Sequence, residues 1–218
     1  MEKTYADYEG FRDVVAAEVL QDNNAGYEGS EWQQLEGAAS MNLEISESST
    51  PYYRDNKAVG SYFTEGADVA TVAMDILANK IRAWLEGRLY SEKTGALIKA
   101  PKQIKTYAFG CIGGKTDGTE EAIIMYSTSV VAGSEEHQTK TDSANATTME
   151  YTFTGAYTKA KFDLTINGEQ YKVAVKSYRV PLTDKLTEEM IFGTFTDGKS
   201  SLKVLTPDQI EALVDEAA

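Results

Sequence analysis

Apolar and polar residues alternate with a period of two along much of this chain, most clearly from Ala39 to Glu47. Ala39, Met41, Leu43 and Ile45 alternate there with Ser40, Asn42, Glu44 and Ser46, the pattern of a strand with one buried face. Asn42, Glu44 and Ser46 then share the polar face. Thr50-Pro51 is expected to break this strand, and residues 52–57 to form an exposed loop turning at Asp55-Asn56 before 58–63 resumes an extended course. Residues 69–76 predict another strand, whose even hydrophobicity implies burial on both faces. The period then changes. Leu77, Ile81, Trp84, Leu85 and Leu89 form a helical stripe with Lys80, Arg82, Glu86 and Arg88 off it, and Trp84 on that stripe is placed to cover a sheet.

Extended segments are expected again at 103–110, 120–131, 147–157, 162–166 and 170–180, with Asn167-Gly168 as a hairpin turn between the last two. Residues 184–192 predict a short helix. A better one opens at Thr206-Pro207-Asp208, with Thr206 as N-cap, Pro207 at the first helical position and Ile210, Leu213 and Val214 as its apolar side. Residues 11–20 fit a strand through Val15, Ala17 and Val19, or a helical turn through Phe11, Val14, Val15 and Glu18; the turn at 22–26 that follows favours a hairpin. Residues 133–146 are the most polar stretch and read as a long loop.

The composition suits an ordinary globular domain: 218 residues, 42% apolar, enough for one core or two small ones. A net charge of −13 disfavours a protein that grips nucleic acid, since phosphates would be repelled. The excess lies at the ends. Residues 1–50 hold eleven acids against Lys3 and Arg12, residues 206–218 hold four acids and no base, and the stretch between is balanced at 19 of each. Such blocks either keep a β-protein soluble and its edges apart or form one functional surface. No apolar run is long enough to span a membrane, and the opening ten residues lack the pattern of an export signal, so a soluble protein is expected.

Candidate chemistry is sparse. Gly110-Cys111-Ile112-Gly113-Gly114-Lys115-Thr116 imitates a phosphate-binding loop, yet the first required glycine falls at Phe109 and the segment leads through Asp117-Gly118 into β-like residues instead of a helix. A glycine-rich hairpin is expected there. Cys111 with His137, or Ser127 or Ser129 with His137, lack a local nucleophile signature, and one Cys with one His make no structural zinc site. The pairs Glu120-Glu121 and Glu188-Glu189 show no signal of burial, and the sequon Asn145-Ala146-Thr147 matters only in a secreted eukaryotic protein. No catalytic, cofactor-binding or metal residue is therefore assigned. The 13 Tyr and two Trp leave a surface or secreted β-sandwich for adhesion or carbohydrate binding as an alternative, and a small hydrolase as a weaker one without a nucleophile motif.

The order of segments resembles the major tail tube proteins of long-tailed bacteriophages of Gram-positive bacteria. The resemblance is carried by Val19-Leu20-Gln21-Asp22 with its acidic Gly-Tyr loop, Leu35-Glu36-Gly37-Ala38 leading into Met41-Asn42-Leu43-Glu44-Ile45-Ser46, and Tyr53-Arg54-Asp55-Asn56-Lys57. Residues 75–89, Tyr107-Ala108-Phe109-Gly110, and Thr139-Lys140-Thr141-Asp142 ahead of Met149-Glu150-Tyr151-Thr152-Phe153-Thr154-Gly155 complete it. It implies a mainly β fold, a β-sandwich or partly closed β-barrel with a flanking α-helix and a C-terminal helix. Residues 1–158 would form the tail-tube-like domain, and 159–218 a C-terminal extension packed on it. It further implies no enzymatic activity or cofactor, but hexameric rings stacked into an acidic tube through which DNA passes without specific binding. Partners would be further copies and the tape measure, tail terminator and baseplate or tip proteins, in the virion tail and, during assembly, the host cytoplasm. Asn42, Glu44 and Ser46 are the candidates to face the lumen. The 50–63 hairpin, with Tyr52, Tyr53, Arg54, Tyr62 and Phe63, is the candidate for contact between subunits or rings.

Overall fold

The computed structural model describes residues 6–54, 57–133 and 148–216. Its strands are β1 (Tyr8–Asn23), β2 (Gly26–Gly29), β3 (Glu31–Gln34), β4 (Ala38–Glu44), β5 (Glu47–Arg54), β6 (Lys57–Glu65) and β7 (Asp68–Met74). After helix α1 (Asn79–Glu86) come β8 (Leu89–Ser91), β9 (Ala96–Ile98), β10 (Tyr107–Lys115), β11 (Glu120–Ala132), β12 (Met149–Gly155), β13 (Phe162–Ile166), β14 (Glu169–Val173) and β15 (Ser177–Pro181). Helix α2 (Glu188–Phe192), β16 (Phe195–Thr196), β17 (Lys199–Lys203) and helix α3 (Pro207–Glu216) close the order.

One antiparallel sheet runs β16-β17-β3-β1-β10-β11-β12-β7-β4, with β2 added to β1 and β15 to β11. It curls into a half-barrel, flanked by α1 and with α3 at the C-terminus, so the fold is mainly β as expected. The curl brings β4, at one end of the sheet, across to β10, where Met41 Sδ lies 3.8 Å from Cys111 Sγ.

The central strands are buried on both sides. Val14, Ala16, Tyr107, Phe109, Cys111, Ile123 and Met125 point into the core within the curl, which Met41, Leu43, Ile81 and Trp84 help to fill. Val15, Ala17, Ala108, Ile112, Ala122, Ile124 and Tyr126 point the other way, into a second core. Two-faced burial removes the polar alternation, which is why residues 11–20 read both ways in sequence. They form a strand, bulged between Arg12 and Val15 where Asp13 takes φ 53°. The chain from Ala160 onward supplies the rest of the second core: Phe162, Leu164, Val175, Leu186, Ile191, Phe192, Val204 and Ile210. Phe192 meets Trp32 edge-on at 5.3 Å, and burying such a ring stabilises by about 2–3 kcal/mol. Asp22 accepts hydrogen bonds from the backbone N–H groups of Lys159 (2.8 Å) and Ala160 (2.9 Å), fixing the chain as it enters this layer.

Several expectations change. Residues 69–74 are buried on one face of β7 only, and residues 52–54 and Lys57 belong to strands where a loop was expected. Pro51 breaks nothing: it pairs with Ser61 inside β5, because a two-stranded ribbon leaves each strand an open side that tolerates a missing N–H. The strand that begins at Ala38 ends instead at Glu44. The helical stripe stops short of Leu89, since Gly87 adopts a left-handed φ of 64° and caps α1 with its N–H on Ala83 and Trp84. A side chain there would strike the Gln103 carbonyl oxygen at 2.1 Å. The expected 170–180 strand divides into β14 and β15, which pair with different partners. At Asn167-Gly168 both residues take positive φ (54° and 83°), as a two-residue hairpin turn needs. Helix α3 starts as its sequence suggests, with Gln209 reaching back to the Thr206 N–H at 2.9 Å.

Candidate assembly surfaces

The sequence between β4 and β7 builds an arm. Strands β5 and β6 pair only with each other, from Glu47 opposite Glu65 to Arg54 opposite Lys57. Alternation sorts their side chains onto two faces. Ser48, Thr50, Tyr52, Tyr62 and Thr64 share one, where Tyr52 and Tyr62 rings lie 4.9 Å apart and the Ser48 and Thr64 hydroxyls 2.6 Å apart. Pro51, Ser61 and Phe63 share the other with Glu47 and Glu65. Tyr53, Tyr62 and Phe63 are 65%, 65% and 60% exposed, so neither face has a core to rest on. Arg54 is exposed, Tyr52 half-buried against its own ribbon, and the turn at Asp55-Asn56 lies outside the described residues.

The root of the arm is anchored. Gly66 donates its N–H to the Ser46 carbonyl (2.6 Å), and Lys176 Nζ reaches the Gly66 carbonyl (2.9 Å) and Asp68 (3.3 Å). That ammonium also sits 4.9 Å from the ring of Tyr157, whose hydroxyl donates to Glu65.

Asn42 and Glu44 are exposed on the outer face of β4, and ladder pairing extends their rows across three more strands. Asn42 lines up with Thr71, Thr152 and Val131, and Glu44 with Val69, Thr154 and Ser129. A third row runs Ser40, Ala73, Glu150. The face carries the carboxylates Glu44 and Glu150 with small and β-branched residues between them, and none of these positions is a lysine or arginine. Its β12 and β11 members were legible only as extended segments; what joins them to Asn42 is register, which sequence does not state. Ser46 is exposed but lies past the end of β4, at the arm's root.

No protein-family model and no curated protein matches the sequence. Cys111 is fully buried, and burial pushes its thiol up to about 12, far from a reactive thiolate. Gly110 to Lys115 lies in β10 and the following turn returns as β11, so the glycine-rich run is a hairpin. His137, the sequon at Asn145 and Thr139-Lys140-Thr141-Asp142 lie outside the described residues. Among the described residues no helix is long and apolar enough to cross a membrane, and no three His, Cys, Asp or Glu side chains could hold a metal ion.

Charged pairs instead lock the strands. Arg12, beside the β1 bulge, takes both oxygens of Glu120 (3.0 and 2.9 Å) and also meets Asp13 and Glu188. The bidentate bond to Arg12 holds the Glu120 carboxyl below its usual range. Glu120 and Glu121, adjacent in sequence, thus serve opposite faces of β11 as ion-pair partners.

Proposed function

We propose that this protein is a structural subunit of a bacteriophage tail tube, a non-enzymatic protein whose hexameric rings stack into a hollow conduit for DNA. The β5–β6 arm carries this reading. A two-stranded ribbon is marginal in water by itself, and one that exposes Tyr53, Tyr62 and Phe63 is suited to order against another chain. The resemblance in segment order and the curled sheet support the same reading.

In a tube of this kind the β4–β7–β12–β11 face, with Glu44 and Glu150, is the surface to line the lumen. Carboxylates without bases repel phosphate, so a duplex can slide instead of adhering. Tape measure, terminator and baseplate or tip proteins would meet the tube, and the protein would reside in the virion tail after assembly in the host cytoplasm.

Negative-stain electron microscopy and size-exclusion chromatography over a concentration series test this. Hollow rings or tubes are the expected outcome. A protein that stays monomeric throughout counts against the reading. The exposed Tyr53 and Tyr62 would then favour a carbohydrate platform, and binding to a glycan array would establish it.

A further inference from the structure

The chain enters the arm through Ile45-Ser46, between β4 and β5, and leaves it through Gly66-Ala67, between β6 and β7. These two crossings lie side by side. The Gly66 N–H meets the Ser46 carbonyl at 2.6 Å, and a Cβ at position 66 would come within 2.5 Å of Ser46 Oγ. Short links at the ends of strands, adjacent and without a core of their own, are where a ribbon turns as a unit against a body.

The body presents a fixed cation to this hinge. Lys176 stands between β14 and β15, and its carbonyl accepts the Tyr126 N–H at 3.3 Å. Beside it, Val175 donates its N–H to the Thr158 hydroxyl and accepts the Thr158 N–H, both at 3.1 Å. From that anchored backbone the ammonium reaches the Gly66 carbonyl and Asp68. The Lys176 and Asp68 side chains are only 11% and 8% exposed, so salt screens their pairing little. Tyr157 completes the grip, its ring near the ammonium and its hydroxyl donating to Glu65.

Charge around the hinge works against the closed position. Glu47 and Glu65 are directly opposed across the ribbon, where like charges repel. A cleft of about 370 Å³ separates the arm's root from the body, and its lining holds three carboxylates, Glu47, Glu65 and Asp68, against the single cation Lys176. Withdrawing that cation leaves repulsion at the hinge and space for the arm to move into.

We propose that Lys176 and Tyr157 form a clamp that sets the direction of the β5–β6 arm, and that the arm swings about Ser46 and Gly66 when the clamp opens. Residues that follow β12 thereby position a surface built between β4 and β7. The clamp acts whatever the arm binds, and so does not depend on the tail-tube reading.

Spin labels at Tyr53→Cys on the arm and Lys161→Cys, exposed on the body, test it by pulsed dipolar distance measurement in an excess of unlabelled protein; buried Cys111 stays silent. One narrow distance distribution is expected. Lys176→Met combined with Asp68→Asn, which leaves no unpaired buried charge, should broaden it with little change in melting temperature, whereas Lys176→Arg should keep it narrow. An unchanged distribution in the double variant, or a broad one with the clamp intact, would overturn the proposal. Should the double variant lose its cooperative melting, the half-exposed Tyr157→Ala decides: broadening supports the clamp and an unchanged distribution overturns it. Neither result turns on whether tubes form.

Discussion

At Glu121, burial and pairing pull the carboxyl in opposite directions. Burial resists its ionisation, but Lys115 Nζ at 2.6 Å, the Tyr8 hydroxyl and Arg179 at 3.9 Å outweigh it, and the carboxyl sits below its ordinary value of 4.5. A folded-state value below the unfolded one contributes stability that is present above the unfolded value and lost as pH falls through the folded one. Stability should therefore drop below about pH 4.5, and Glu120, held down by Arg12, adds to the same trend. Glu121→Gln should flatten that acid limb and cost about 1–3 kcal/mol at neutral pH, because Lys115 loses a charged acceptor. Denaturant midpoints for both proteins from about pH 3 to pH 7 measure this, and parallel curves would remove Glu121 as a source. In sequence, Glu120-Glu121 carries no sign of these roles. Their partners are Tyr8, Arg12, Lys115 and Arg179, and only the fold brings those together.

At the scale of elements, the arm and the body answer to different forces. The body holds by two cores on opposite faces of one sheet, whereas the arm has eight ladder pairs and little burial. Replacing residues 48–64 with an Asn-Gly turn between the facing Glu47 and Glu65 should therefore shift the melting temperature by less than about 4 °C, a change of about 1 kcal/mol or less. The same variant should no longer assemble. Calorimetry beside electron microscopy reads both, and a collapse in melting temperature would make the arm part of the folding unit. Of the arm, only the extended run 58–63 was legible, since Thr50-Pro51 read as a break and 52–57 as a loop; β4 and α1 showed clean periods, while 69–76 read as buried on both faces although β7 buries one. What stayed hidden has physical causes. Pro51 reads as a breaker only if a strand needs neighbours on both sides. Trp32 sits in a four-residue strand too short for periodicity to register. The basic stretch from Lys80 to Lys105, with seven bases against Glu86 and Glu92, vanished into the balanced count for residues 51–205.

At the scale of the molecule, charge is sorted more finely than ends against middle. The α1 end is basic, while the β4–β7–β12–β11 face and most of the chain are acidic. If that face lines a conduit, its sign decides whether DNA slides or sticks, because a lysine that pairs with phosphate releases counterions and gains affinity that falls steeply with salt. Glu44 and Glu150 lie on this face near no core contact, on rows set by β4 and β12. The double reversal Glu44→Lys with Glu150→Lys should leave folding and tube formation unchanged while making assembled tubes retain duplex DNA at low salt. Retention should fall linearly in log–log form as salt rises, and phages carrying the variant should eject DNA more slowly. Wild-type tubes should retain none under the same conditions. Tubes of the variant that ignore DNA at low salt would place these two residues outside the lumen and leave the lining to another face.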